Sequence, residues 1–217
     1  MSGKKKETPA DDQAGPSFGQ VCLEYGQAII LAVAVALVIR SFLFQAFQIP
    51  SGSMIPTFLE GDRVLVKKFS YGIRNPLNNQ LWAEIGRPER WDVVVFISPE
   101  DRDKDFVKRV AALPGETVAL SNGELFIDGR KIEDPHGRYD PRASSHLRDL
   151  PPVLLGDGQY FMLGDNRDHS SDSRAWGPVD FSLLKGRAWR LYWSWDSSPG
   201  RNLDERLRTG RIGRRVE

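Results

Sequence analysis

Thr117-Val118-Ala119-Leu120-Ser121-Asn122-Gly123-Glu124-Leu125-Phe126-Ile127-Asp128-Gly129 is the stretch whose reading decides the fold. Two short runs that suit strands are joined by Asn122-Gly123, and the second is closed by Asp128-Gly129. Both dipeptides favour the positive-φ turns that reverse an antiparallel pair. A β-ribbon is expected here. The same pattern recurs outward along the chain, at 64–69, 92–97, 106–113, 159–163 and 188–195, with turn residues between the runs and no long helical period competing. The expectation is a mainly β fold, mostly antiparallel, over residues 41–195, with a ribbon and surface excursion at 121–158. Residues 131–153 are polar, proline-bearing and without period, and read as a long surface excursion with no chemistry of its own. In the final run Trp189, Leu191, Trp193 and Trp195 alternate onto one face, either a buried sheet face or a tryptophan rim resting on lipid head groups. Beyond Asp196 a basic tail over 196–217 carries six arginines without aromatic interleaving, and reads as a solvated or lipid-facing end.

Ahead of the β region, residues 1–20 hold Lys4, Lys5 and Lys6 and little that could be buried, and read as a disordered tail. Residues 21–39 are mostly apolar. A helix there, rising about 1.5 Å per residue, nearly crosses a hydrocarbon layer about 30 Å thick, with Arg40 placed to snorkel. A transmembrane helix over 21–40 is therefore expected. The lysines in front outnumber Arg40 behind, which keeps the N-terminal tail cytoplasmic and puts the β domain on the other side. A cleavable export signal competes with a retained anchor, but no small-x-small cleavage site follows the apolar stretch, since residues 40–48 are rich in Phe; a buried core helix is a further alternative. Thirty basic and twenty-nine acidic residues leave a net charge of +1, so nothing calls for a nucleic-acid partner. The single Cys22 rules out an internal disulfide.

Chemistry-bearing residues concentrate just after the apolar stretch, in Ile49-Pro50-Ser51-Gly52-Ser53-Met54-Ile55-Pro56-Thr57. A serine hydroxyl is a weak nucleophile at neutral pH and needs a base. The sequence offers two kinds. One is His169, with Asp165, Asp168 or Asp172 to orient it; His136 and His146 lie in the irregular excursion. The other is a lysine held neutral by removal from water. Alternation in Phe106-Val107-Lys108-Arg109-Val110 puts Lys108 on one face with Phe106 and Val110, among apolar groups. Lys108 also reads as an edge lysine that blocks further strand pairing. No His/Cys ligand cluster is present, so neither a metal nor another cofactor is expected.

Four segments together resemble bacterial type I signal peptidase, a membrane-anchored Ser-Lys endopeptidase. They are residues 49–57, the strand-like Gly61-Asp62-Arg63-Val64-Leu65-Val66-Lys67-Lys68, Asp105-Phe106-Val107-Lys108-Arg109-Val110 leading to Leu113-Pro114-Gly115, and Gly164-Asp165-Asn166-Arg167-Asp168-His169-Ser170-Ser171-Asp172-Ser173-Arg174 with Trp176-Gly177. The resemblance implies that Ser53 is the nucleophile and Lys108 the general base, and that Ser51 and the backbone N–H of Ser53 stabilise the oxyanion. It implies too that Ser170 orients the lysine amine and that Asp172 and Arg174 form a supporting ion pair. Shallow pockets for small side chains are implied at Phe47, Ile49, Pro50, Met54, Val64, Val95 and Phe106, with Val107 as a looser addition.

The resemblance further implies removal of signal peptides from exported precursor proteins at the outer face of the bacterial cytoplasmic (inner) membrane. The enzyme would be single-pass and monomeric, in contact with membrane lipids. Alternatives are a noncatalytic membrane-tethered β module that binds signal segments, and a Ser-Lys protease with a narrower target. Trp91 stands where glycine is frequent in the family, Phe106 where tyrosine is, His169 where asparagine is, and Phe58 where leucine is.

Overall fold

The computed structural model describes residues 18–75, 80–143, 146–200 and 202–217, so most of the expected N-terminal tail lies outside the described residues. The chain divides between Ile39 and Arg40 into two compact units. The first contains helix α1, Phe18–Val38, which buries none of its residues and passes into a π-type turn at Ile39–Leu43. The stretch Phe18–Leu43 is long and apolar enough to cross a membrane.

The second unit has thirteen strands among the described residues: β1 Phe44–Gln48, β2 Asp62–Lys67, β3 Gly72–Arg74, β4 Leu81–Glu84, β5 Val93–Ile97, β6 Asp105–Ala112, β7 Thr117–Ser121, β8 Glu124–Ile127, β9 Arg130–Ile132, β10 Leu150–Leu154, β11 Gln159–Leu163, β12 Val179–Asp180 and β13 Leu184–Ser194. Seven of them form an antiparallel sheet in the order β1-β2-β13-β5-β6-β11-β12. The order matters for function, because β6 lies well inside the sheet and β1 at one edge. A second sheet runs β10-β7-β8-β9, and β3 pairs with β4. The protein is mainly β, as expected.

The expected ribbon forms as β7 and β8, paired from Val118 with Ile127 to Ser121 with Glu124. Asn122 and Gly123 take φ of 50° and 84°, and Asp128 and Gly129 take 51° and 75°, so each turn uses the left-handed region that its residues tolerate.

Three expectations are corrected. The excursion is not wholly irregular: Leu150–Leu154 adds to β7 as an outer strand. Pro151 and Pro152 hid it, yet an edge strand tolerates prolines, and the register shifts between Leu150 and Val153 to accommodate them. The simple alternation of 188–195 also fails. Register shifts between Ala188 and Arg190 and between Leu191 and Trp193 turn Ala188, Leu191 and Ser194 inward, leaving Trp193 exposed and Trp189 half-buried against Phe44. Lastly, the basic C-terminal segment is largely exposed, as a solvated end would be, but it is not free. It folds back along β13: Leu191 N–H donates to Arg214 O, Gly213 N–H to Leu191 O, and Val216 N–H to Trp189 O. Arg211 and Arg208 there pair with the fully buried Asp62.

Three apolar clusters of described residues fill the unit. The one beneath the site joins Ile49, Met54, Phe58, Val64, Val66, Val93, Val95, Ala188 and Leu191, and Val216 packs against it. It fastens β1 and the turn after it to the central strands.

Candidate active site

β1 delivers the chain to Ile49, which is buried and whose N–H donates to Asp62 O at 2.9 Å. Pro50 and an extended Ser51 follow, and Gly52–Met54 then make one 3₁₀ turn. Met54, 1% exposed, is the peg that pulls this turn onto the core. Ser53 is thereby raised from the surface of the cluster with its hydroxyl turned to β6.

Lys108 meets it there. Its Nζ lies 2.6 Å from Ser53 Oγ. The protonated amine donates to the hydroxyl, and the neutral amine accepts from it. β6 pairs with β5 through Lys108 opposite Val94, and alternation brings Lys108 to the Phe106 side, where its Nζ is 5.6 Å from the Phe106 ring centre. Lys108 is 5% exposed. That burial lowers its pKa from 10.5 to about 8, against the pull of Asp172 and Asp165, which favour the charged form; Arg174 adds to the lowering. Ser51 Oγ lies 3.4 Å from Ser53 Oγ on the solvent side.

The opposite face of β6 carries Arg109, wholly buried and bidentate on Asp165 through two bonds of 2.8 Å. Thr57, just beyond the turn that carries Ser53, donates to Asp165 at 2.5 Å and accepts from Arg109 at 3.3 Å. Asn166 N–H donates to Ser53 O at 3.1 Å, and its side-chain amide to Gly52 O at 3.0 Å. Three segments remote in sequence are thus locked around one ion pair. Sequence reasoning gave no role to Thr57, Arg109 or Asn166 and offered Asp165 only as a partner for His169. The available signal was that an arginine in the middle of an apolar strand has to be paired.

Asp172 and Arg174 do pair, with bonds of 2.7 and 2.8 Å. Asp172 also accepts from Gly164 N–H at 3.0 Å, while Arg174 donates to the main-chain oxygens of Arg167 and Leu147. Ser170 is buried, and its Oγ makes no hydrogen bond among the described residues. It lies tightly against Gly164: a Cβ there would come within 2.1 Å of Ser170 Oγ and 2.6 Å of Ser53 O. The excursion has a structural role. Its Asp134 pairs with buried Arg167, and its Arg148 holds Asp168 at 2.8 Å, so it braces the segment that carries Asn166 and Ser170.

A cleft of about 630 Å³ opens over Ser53 and Lys108. Phe47, Ile49, Pro50, Met54, Phe106 and Val107 line it, whereas Val64 and Val95 lie fully buried in the cluster below and do not reach its wall. Val107 lines it although alternation turns it from Lys108. His169 stands at the cleft edge, 59% exposed in its side chain and 3.8 Å from Asp140. Ser53 Oγ bonds to Lys108 and Ser51 and to no histidine among the described residues. Nor is any group of three or more His, Cys, Asp or Glu among them placed to hold a metal ion.

The family "Signal peptidase, peptidase S26" matches residues 22–193. Curated relatives agree over most of the chain. Signal peptidase I of Pseudomonas fluorescens is 36% identical over 224 residues, covering 88% of this chain and 79% of that protein. Signal peptidase I of Pseudomonas aeruginosa is 37% identical with the same coverage. Signal peptidase I of Bacillus amyloliquefaciens is 35% identical over 176 residues, covering 78% and 84%. With a serine and a dehydrated lysine 2.6 Å apart in a cleft on a mainly β unit, the chain belongs to the signal peptidase family, peptidase S26.

Proposed function

We propose that this chain removes signal peptides from exported precursors with Ser53 as nucleophile and Lys108 as base. The observation that carries this reading is the 2.6 Å approach of Nζ to Oγ where the amine is buried and its pKa lowered to about 8. Neutral Lys108 takes the proton as Ser53 Oγ attacks the scissile carbonyl, then returns it to the departing amine. Water, deprotonated by the same amine, next attacks the acyl ester and releases Ser53. The oxyanion is stabilised by Ser53 N–H and the Ser51 hydroxyl. Ser170, buried against Gly164, takes the lysine-orienting role that the family resemblance implies, and the Asp172–Arg174 pair holds the segment that carries it. The apolar wall from Phe47 to Pro50, with Phe106, admits small side chains before the cut and excludes larger ones.

The apolar helix supports a single membrane pass and the lysines ahead of it an N-terminus inside; in this reading the protein sits in the bacterial cytoplasmic membrane with its catalytic unit outside and works as a monomer on lipid-held precursors. Membrane apposition raises the effective concentration of a substrate held in the same bilayer. The test is cleavage of a precursor by purified protein beside Ser53→Ala, Lys108→Ala and His169→Ala. The first two abolish cleavage, and the third leaves most of it. A protein silenced by the histidine change alone refutes the lysine base.

A further inference from the structure

Besides Lys108, the charged or titratable groups along the cleft are Glu60, Lys104, Asp105 and His169, and their partners differ. Lys104 is bound to Asp101 at 2.8 Å and Asp105 to Lys185 at 2.7 Å, with both partners outside the cleft. His169 stands beside Asp140. Glu60 lines the same cleft, and its carboxylate has no ion-pair partner among the described residues.

The position of Glu60 is set from behind. Arg208 donates to its main-chain oxygen at 3.0 Å, and the nearby Asp62 carboxylate accepts from Leu59 N–H at 2.8 Å, so the turn cannot drift. Its side chain points back to the nucleophile turn: Oε1 would stand 3.5 Å from a Cβ built on Gly52. A substrate strand passing over Ser51-Gly52-Ser53 therefore runs beside a carboxylate whose main chain is held in place. Of the cations in the cleft, Lys104 is paired with Asp101 and Lys108 is turned to Ser53, and neither is paired with Glu60 among the described residues.

We infer that Glu60 is a specificity-determining residue, which reads the charge of the substrate side chain that passes over Gly52 and favours a cation there over an anion. This rests on the peptidase reading above and adds to it a subsite that size exclusion does not supply. The attraction acts between exposed groups in water, so its effect is modest; a pair of this kind is worth up to about fivefold in a rate ratio, and repulsion of an anion is of similar size.

The experiment uses the full chain in detergent micelles and a set of precursor peptides identical except that one residue at a time, on either side of the cut, is Lys, Gln or Asp. For the native chain kcat/KM favours Lys over Asp by about five- to tenfold at one position, and the ratio shrinks as salt is raised. Glu60→Gln brings that ratio to near one. Glu60→Lys inverts it. An unchanged ratio in Glu60→Gln, or no charge preference at any position in the native chain, overturns the inference while leaving the peptidase reading intact. Failure of the native chain to cut the Gln peptides would instead defeat that reading.

Discussion

Lys108 is made easy to deprotonate at a cost to the fold, and removing it should show that cost. In the unfolded chain the amine has a pKa near 10.5; in the folded chain burial lowers it to about 8. The folded state therefore binds fewer protons between those values, and stability rises as pH climbs from about 8 to about 10.5. At pH 7, below both values, the penalty is present in full and amounts to about 3 kcal/mol, since each tenfold loss of proton affinity corresponds to about 1.4 kcal/mol. Lys108→Met keeps most of the apolar stem and deletes the charge. It also deletes the bond to Ser53 Oγ, worth about 1 kcal/mol. The variant should then be inactive yet more stable than the native chain by about 2 kcal/mol at pH 7. For a unit of this size that corresponds to a rise of about 4–8 °C in Tm. Guanidinium unfolding of the full chain in micelles, at pH 7 and again near pH 10.5, measures both ends of the window. The gain should vanish at the higher pH, or turn to a slight loss. A variant less stable at pH 7, or equally stabilised at both pH values, refutes the claim that dehydration tunes this amine.

The same value sets the rate profile: kcat/KM should rise about tenfold from pH 7 to a plateau above about pH 9, with its inflection near 8, and an inflection well above that would contradict the burial of Lys108. Gly164→Ala puts a methyl into Ser170 Oγ and Ser53 O, and cleavage should fall on the order of 100-fold, whereas Gly210→Ala, with open space around it, should cleave normally. Arg109→Ala strands the buried Asp165 and should cost about 3–5 kcal/mol in a denaturant titration, with the double change Arg109→Met and Asp165→Leu costing less than the single one.

Most of the fold could be read from the chain because it is written in local signals. Asn122-Gly123 and Asp128-Gly129 demand positive φ and obtain it, and the apolar run becomes a long helix. What escaped depends on neighbours. Leu150–Leu154 contains two prolines and looks like no strand until an edge of β7 is there to receive it. Arg208 and Arg211 look like part of a solvated end until Asp62 is found buried beneath them. Trp91, which departs from the family's frequent glycine, takes φ of 74°, the region where glycine is the residue without steric cost. The tryptophan keeps that conformation while packing on the β7–β8 cluster and standing 5.7 Å from the His136 ring, so its side chain gains contacts that glycine lacks.

The site divides along the same line. Alternation offered Lys108 only as one candidate base beside His169, the resemblance singled it out, and the structure brings its amine to Ser53. The Arg109–Asp165–Thr57 knot could not be picked out, since its members lie 52 to 108 residues apart and each has an ordinary reading in its own segment. Yet that knot is what holds Lys108 beside Ser53. A lysine on a strand and a serine on a separate turn can stay 2.6 Å apart only if the two segments cannot slide. The pin lies on the far face of the strand that bears the lysine, in the dry interior, where losing one partner is costly. Burial thus acts twice on β6: on one face it lowers the pKa of the amine, and on the other it makes the ion pair a rivet.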